Sequence, residues 1–362
     1  MTTYLLAGGG TAGHVNPLLA VADRIREREP DAELLVLGTT EGLESRLVPD
    51  RGYELVTIER LPFPRRPGRA ALQFPSRLNR AVNEVRALIR DRGVDVVVGF
   101  GGYVAAPAYL AARRERVPLA IHEANARPGI ANRLGARYTP FVGVAFRGTR
   151  IRHATFVGMP LRREIEQLDR RATRAESARH FGLRADQPTL LVTGGSSGAK
   201  RINETVSAAI TSILGTGWQV IHITGEFRDE LEDPRLPGYL VFKYCDRMDL
   251  ALAMTDLALT RAGTSTVAEL TGLGIPAVFV PYAAGNGEQR LNALETVQAG
   301  GAIMIEDARF TPEWVGTALV ALLRNRARIA DMAARSGSVG ALDGTDRMVD
   351  LVLRAVASSG QH

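Results

Sequence analysis

Two glycine-rich turns and one hydroxyl-rich turn hold the residues of this chain that are spaced to do chemistry. The first runs Leu6-Ala7-Gly8-Gly9-Gly10-Thr11-Ala12-Gly13-His14 and the second Val192-Thr193-Gly194-Gly195-Ser196-Ser197-Gly198-Ala199. In each, a short apolar strand runs into glycines and then into a helix. Glycine tolerates φ > 0 and lets backbone N–H groups approach a ligand, and the helix start beyond it favours negative charge. The third turn, Arg261-Ala262-Gly263-Thr264-Ser265-Thr266-Val267-Ala268-Glu269, suits a pyrophosphate without a metal. Glu269, about a turn into that helix, is placed to accept from both hydroxyls of a ribose. Further on, Gln289 and Asn292 share a helix face. The same residues fit a plainer role, with Thr264 or Ser265 capping the helix and Glu269 solvated.

A dinucleotide cofactor is the first chemistry to weigh, because Gly8-x-Gly10-x-x-Gly13 matches its fingerprint. That pattern needs an acid at the tip of the second strand to hold the ribose. Here the strand ends Leu35-Val36-Leu37-Gly38-Thr39, with no acid at its tip. Neither glycine turn leads into the Gly-Lys-Ser/Thr of a Walker loop, and no Asp-x-Asp metal motif occurs.

The elements that position these turns follow from length and periodicity. At 362 residues the chain suits two domains of about 100–200 residues each. With 45% hydrophobic and 23% charged residues it reads as soluble and globular. No stretch approaches the ~20 uninterrupted apolar residues of a membrane span, and no basic region precedes an apolar signal core. The single cysteine, Cys245, excludes an internal disulfide and fits a reducing, cytoplasmic compartment. A small buried hydrophobe is its expected role.

Net charge is +6, compatible with nucleic acid, an anionic membrane or phosphorylated substrates. Of the 45 basic residues only Lys200 and Lys243 are lysines. The arginines alternate with acids, as in Arg24-Ile25-Arg26-Glu27-Arg28-Glu29, which reads as a solvated helix face. The segment Leu61 to Arg92 is the exception.

In the first half, strands are expected at Tyr4–Ala7, Glu33–Leu37, Tyr53–Ile58, Val94–Val98, Leu119–Ile121, Val142–Ala145 and Ala154–Val157. Helices are expected from Asn16-Pro17, over Arg77–Asp91 and over Pro107–Arg114. The uninterrupted β-branched run Val94–Val98 is that of a strand buried on both faces. After a polar helix at Arg170–Phe181 the pattern restarts. Strands then fall at Leu190–Val192, Gln219–Ile223, Tyr239–Phe242, Leu257–Leu259 and Ala277–Val280, with helices at Val267–Leu273 and Gln289–Ala299. Alternating strands and helices predict a doubly wound parallel sheet in each half. The boundary is expected near Gly158-Met159-Pro160. Domains are therefore set at 1–160, 161–340 and a helical tail, 341–362, that packs back on the first.

Six segments together resemble the MurG family of N-acetylglucosaminyltransferases. They are Gly8 to Pro17, Gly99 to Pro107, His122-Glu123-Ala124-Asn125-Ala126-Arg127-Pro128-Gly129, Gly158-Met159-Pro160-Leu161-Arg162, Gly194 to Ala199, and Arg261 to Ala293. They occur in the family's order and cover nearly the whole chain. The resemblance implies the α/β GT-B fold, two Rossmann-like doubly wound domains facing across a cleft. It implies transfer of N-acetylglucosamine from UDP-N-acetylglucosamine to the 4-hydroxyl of the muramyl sugar of lipid I, with inversion, forming lipid II for peptidoglycan. No cofactor is required and no metal site is implied. The rivals are another GT-B UDP-sugar transferase with a different acceptor, and a non-catalytic nucleotide-sugar-binding protein.

Such a displacement needs a base for the acceptor hydroxyl and stabilisation of departing UDP. His14, at the end of a glycine turn and titrating near neutrality, is the candidate base. The backbone of Thr11, Ala12 and Gly13 is expected to donate to donor sugar or acceptor pyrophosphate, and Tyr103 to line the acceptor side. By family match Asn125, Arg162 and Ser196 contact the nucleotide sugar. Thr264, Ser265, Thr266, Val267, Ala268 and Glu269 form the phosphate and ribose site, Gln289 contacts the sugar, and the backbone of Cys245 meets uracil. His122 is a candidate catalytic residue, or braces its loop together with Glu123. Ala12, Ala124, Ser197 and Glu288 depart from the family's usual glycine, glutamine, glutamine and histidine.

The lipid acceptor implies a peripheral position on the cytoplasmic face of the cell membrane. Leu61-Pro62-Phe63-Pro64-Arg65-Arg66-Pro67 and Leu72-Gln73-Phe74-Pro75-Ser76-Arg77 combine apolar residues with arginines, as such attachment needs. Cell-wall synthesis and division proteins are the further partners the resemblance implies; nucleic acid is not.

Overall fold

The computed structural model describes residues 1–64, 68–195, 198–225, 233–283 and 287–359. The chain divides into two compact units, Met1–Arg162 with Asp343–His362, and Arg163–Leu342.

The N-terminal unit is built on seven parallel strands: β1 (Thr3–Gly8), β2 (Glu33–Gly38), β3 (Glu54–Thr57), β4 (Val96–Gly101), β5 (Leu119–Glu123), β6 (Phe141–Val144) and β7 (Ala154–Phe156). Their order is β3-β2-β1-β4-β5-β6-β7. Every residue of β1 and β4 is buried, because helices cover both faces. Alternation divides β1 between two cores. Tyr4 and Leu6 pack with Leu18, Ile25, Met348 and Val352 on one face. Leu5 and Ala7 pack with Val82, Val85, Ala108 and Tyr109 on the other. The helix Gly344–Ser359 thus belongs to this unit's core. It is fastened at its rim by Arg28 to Asp350 (2.6 Å) and by Arg24 and Arg28 to Asp346.

The C-terminal unit repeats the plan with β8 (Thr189–Thr193), β9 (Gln219–Ile223), β10 (Tyr239–Phe242), β11 (Thr255–Thr260), β12 (Ala277–Phe279) and β13 (Ala302–Met304). All pair in parallel in the order β10-β9-β8-β11-β12-β13. Leu190, Val192, Val220, Leu257, Leu259 and Val278 meet Ile202, Val206, Phe310 and Leu319 in one core.

Two helices start earlier than their sequence suggests, for the same reason. Asn16-Pro17 reads as a cap followed by a first-turn proline, yet the helix runs Ala12–Arg28, with Thr11 as its extended N-cap. Pro75 likewise sits inside a helix that runs Arg69–Asp91 rather than from Arg77. Each proline forfeits one backbone bond within its helix, and burial of the helix face outweighs that loss. Strand β13, only three residues long, carries too little periodicity to be seen in the sequence.

Candidate functional site

In each unit the sheet order reverses between two neighbouring strands, β1 and β4 in the first and β8 and β11 in the second. Ligands of doubly wound folds bind at the carboxyl ends of such strands. The turns singled out by chemistry all leave these four strands.

In the N-terminal unit the turns after β1 and β4 meet backbone to backbone. A Cβ on Gly102, whose φ is +85, would lie 2.5 Å from the carbonyl oxygen of Gly9. Gly101, with φ +95, is the last residue of β4; a Cβ there would stand 3.1 Å from Nε2 and Cδ2 of His14. Nδ1 of half-buried His14 lies 3.2 Å from the Gly9 carbonyl oxygen and 3.3 Å from Oγ1 of Thr11. A carbonyl only accepts, so Nδ1 is placed to donate to Gly9, an arrangement that would leave the lone pair on Nε2, as a base requires; the Thr11 hydroxyl is the rival partner of the same nitrogen.

Beneath the first turn lies a carboxylate that sequence reasoning missed. Glu44 is fully buried. Its Oε2 accepts from the Gly10 N–H at 2.8 Å, and its Oε1 accepts from Thr39 N–H at 3.0 Å and Thr39 Oγ1 at 2.8 Å. Cβ atoms built on Gly9, Gly38 and Gly42 would fall 2.3, 2.6 and 2.0 Å from it. An acid does follow β2, but its oxygens are spent on the chain itself and do not present to a ribose. That is a second argument against a dinucleotide.

The exit of β5 carries a second buried network. Glu123 accepts from Asn125 N–H, Gly129 N–H and Asn132 Nδ2, each at 2.9 Å. Burial raises its pKa and these donors hold the rise back. Asn132 also donates to the His122 carbonyl at 3.1 Å and accepts from Tyr109 at 2.7 Å. Thr149 Oγ1 donates to the Asn125 carbonyl at 3.3 Å, so the Asn125 backbone is fixed on both sides. His122 is fully buried, its Nε2 lies 3.0 Å from the Gly158 carbonyl, and burial pushes its pKa down to about 4. Burial and the Gly158 contact favour the bracing role for His122 over a catalytic one. Ala124, one of the departures, is buried in the same stretch.

Tyr103, 37% exposed, receives Arg60 over its ring at 4.7 Å, and Arg60 is also paired to Glu41 at 3.2 Å. Arg162 is half-buried at the end of this unit's main segment. In the segment expected to meet a membrane, Leu61 is buried and Phe74 packs against the core. Phe63 stacks on Phe74 with centroids 5.1 Å apart, and Arg77 pairs with Glu59 at 2.7 Å. Leu72 is 82% exposed and Phe63 39%. Arg65, Arg66 and Pro67 lie outside the described residues. No helix among the described residues is long and apolar enough to cross a membrane.

In the C-terminal unit, Gly194 and Gly195 leave β8 for the helix Lys200–Ala208. A Cβ on Gly194 would strike the Ala199 nitrogen at 2.3 Å, and Gly195 has φ +82. Ser196 and Ser197 lie outside the described residues. After β11 the helix Thr264–Gly272 has Gly263 as its N-cap, so neither Thr264 nor Ser265 occupies the capping position. Its first intrahelical bond runs from Val267 N–H to Gly263 at 2.9 Å. The amides of Thr264, Ser265 and Thr266 thus precede the ladder, whereas the Val267 amide is already used and its side chain is buried. Ala268 and Glu269 are half-buried further along.

Arg261 anchors this turn, donating to the Val280 carbonyl (2.9 Å), the Pro281 carbonyl (3.3 Å) and Asp307 (2.5 Å). Gln289 accepts from the Tyr282 N–H at 2.9 Å. Asn292 does not join it on an open face: it is buried and donates to the Ala262 carbonyl at 3.3 Å. Glu288 opens the helix Glu288–Gln298, where the helix dipole favours a carboxylate. Cys245 is half-buried, and burial raises its thiol pKa, which disfavours a nucleophilic thiolate. No group of three or more His, Cys, Asp or Glu among the described residues is arranged to hold a metal ion.

Comparison with known proteins identifies the lineage. Residues 4–144 match the glycosyltransferase family 28 N-terminal domain and residues 189–348 the glycosyltransferase family 28 C-terminal domain. A Leifsonia xyli subsp. xyli protein named UDP-N-acetylglucosamine--N-acetylmuramyl-(pentapeptide) pyrophosphoryl-undecaprenol N-acetylglucosamine transferase is 62% identical over 359 residues, 99% of this chain and 100% of that protein. A Streptomyces coelicolor protein of the same name is 46% identical, covering 99% of each chain. The crystal structure of Acinetobacter baumannii MurG superposes with a TM-score of 0.81 at 29% identity, over 98% of this chain and 100% of that one. With two Rossmann-like units of the GT-B class and full-length identity at this level, the chain belongs to glycosyltransferase family 28 and, within it, to the MurG family of N-acetylglucosamine transferases.

Proposed function

We propose that this chain transfers N-acetylglucosamine from UDP-N-acetylglucosamine to the 4-hydroxyl of the muramyl sugar in undecaprenyl-pyrophosphoryl-muramyl-pentapeptide. The observation that carries the reading is family membership over the full chain, to which the placement of His14 Nδ1 against the Gly9 carbonyl at 3.2 Å is added. In one in-line displacement the acceptor oxygen forms its bond to the sugar C1 as the bond from C1 to the phosphate oxygen breaks. UDP departs with that electron pair, and Nε2 of His14 takes the hydroxyl proton. The product has the opposite anomeric configuration to the donor.

Departing diphosphate is assigned to the C-terminal unit. Amides at the start of the helix Thr264–Gly272 supply donors, and Glu269 holds the ribose hydroxyls. Gln289, Asn125 and Arg162 are assigned to the sugar and nucleotide, Ser196 with them, and the Cys245 backbone to uracil. This division of labour uses amide donors and arginine for the leaving-group charge and calls for no metal. The acceptor's lipid places the protein on the inner membrane surface, where exposed Leu72 and Phe63 with the neighbouring arginines meet the headgroups.

A transfer assay with UDP-N-acetylglucosamine and a lipid I analogue tests the reading. UDP release should depend on the acceptor. Equal turnover with other UDP-sugars would favour a GT-B transferase of different specificity, and no turnover with any would overturn the assignment.

A further inference from the structure

The peptide group that joins Gly9 to Gly10 is engaged on both sides. Its oxygen faces Nδ1 of His14 at 3.2 Å, and its N–H donates to Oε2 of Glu44 at 2.8 Å. Imidazole, peptide and carboxylate therefore form one chain, Nδ1–H to O=C, then N–H to carboxylate. We propose that Glu44 is a positioning residue for the transfer reaction, orienting and polarising His14 through the Gly9–Gly10 peptide. This rests on the reading of His14 as the base.

Three features favour this over an ordinary structural carboxylate. Glu44 is fully buried and pairs with no Lys or Arg among the described residues, an expensive arrangement unless its donors satisfy it. Its donors are the Gly10 amide and the Thr39 amide and hydroxyl, so one oxygen is anchored by Thr39 while the other is aimed at the turn. Finally, Gly9, Gly38 and Gly42 each lack the side chain that would collide with it, so the surrounding backbone is shaped around this group. A negative charge at the peptide N–H strengthens its carbonyl as an acceptor, and linked hydrogen bonds polarise one another. The result favours the Nδ1–H tautomer and stabilises the imidazolium after proton transfer. Thr11 Oγ1, 3.3 Å from Nδ1, is the competing partner. His122 lies in electrostatic reach of His14, and burial keeps it neutral above about pH 4.

The test is histidine ring ¹⁵N NMR on the full-length protein, wild type and Glu44→Gln, with transfer kinetics beside it. Wild-type His14 is expected as the Nδ1–H tautomer. Glu44→Gln should lower the His14 pKa by about half to one unit, move the acid limb of kcat by the same amount, and reduce kcat about tenfold. KM for UDP-N-acetylglucosamine should stay within about twofold; loss of folded enzyme would also lower apparent kcat at constant KM, so the shifted ring pKa and acid limb are what separate positioning from destabilisation. An Nε2–H tautomer in the wild type, or an unshifted His14 pKa in Glu44→Gln, overturns the proposal. The tautomer is read on wild-type protein, so an Nε2–H result overturns the proposal even if the variant fails to fold. It is also independent of turnover, so failure of the transferase reading would be recognised separately.

Discussion

The hydroxyl of Tyr109 donates to Oδ1 of Asn132 across 2.7 Å at a site where both residues are buried. Through the other end of its amide, Asn132 holds Glu123 and the His122 carbonyl. One side chain thus ties the helix Ala105–Glu115 to the loop that carries Asn125. Asn132→Leu would leave a phenol, a carboxylate oxygen and a carbonyl without this partner, at about 1–3 kcal/mol for each buried group. Urea unfolding should show a loss of about 3–5 kcal/mol. A loss below about 1 kcal/mol would mean that the network is not coupled as described.

Acid sensitivity follows from the buried histidines. Burial holds His122 and His222 down at about 4, against about 6.5 in an unfolded chain. On acidification the unfolded chain takes up these protons first. Their stabilising contribution is full above about pH 6.5 and is lost as pH falls towards 4, on the order of 3 kcal/mol for each. Glu123 acts in the opposite sense, since burial raises its pKa and its protonation favours the folded chain. The paired acids Glu54, Glu115 and Asp346, with lowered pKa, contribute losses only below their ordinary carboxylate range. Unfolding midpoints should therefore fall between pH 6.5 and 5, before the carboxylates titrate. A flat profile in that window would contradict the burial of both histidines.

Gly102 is needed for two reasons at once, its φ of +85 and the 2.5 Å approach of a Cβ to the Gly9 oxygen. Gly102→Ala should cost about 2–4 kcal/mol and lower transfer at least tenfold by shifting the turn that holds His14. Gly93, with φ +59 and open space around its Cβ position, is the control. Gly93→Ala should cost about 1 kcal/mol with activity kept. Equal effects of the two substitutions on activity would remove the steric argument.

On the proposed reading, membrane attachment rests on exposed Leu72 and Phe63 rather than on Leu61 or Phe74, whose side chains face the core. The double variant Leu72→Ser, Phe63→Ser should reduce flotation with anionic liposomes several-fold while soluble-analogue kinetics stay unchanged. Flotation equal to wild type would assign attachment elsewhere.

The fold was largely legible because the strands are apolar runs bounded by turn residues. β9 and β10 and the helix Arg170–Phe181 occupy the same residues in sequence and structure. Asp169, whose carboxylate accepts from the amides of Arg171 and Ala172, marks that helix start without ambiguity. Pro17 misled, since its local signal is a start and only packing shows otherwise, and the expected start at Arg77 falls two turns inside the helix Arg69–Asp91, which contains Pro75. Glu44 was illegible for a different reason. It reaches Gly10 from 34 positions away through the β1–β2 crossover, and nothing local records that approach. Glycines at 38 and 42, flanking no obvious turn requirement, were the available hint. Asn292 shares a helix face with Gln289 in sequence, but which of the two is buried is decided by the turn at Ala262.

In the proposed reaction the N-terminal unit removes the proton and the C-terminal unit binds the donor, and steady-state kinetics with a lipid I analogue separate the two. His14→Ala should lower kcat about 10²–10⁴-fold with KM for UDP-N-acetylglucosamine little changed, whereas Glu269→Ala should raise that KM at least tenfold. Near-wild-type kcat in His14→Ala, or an unchanged donor KM in Glu269→Ala, would contradict it.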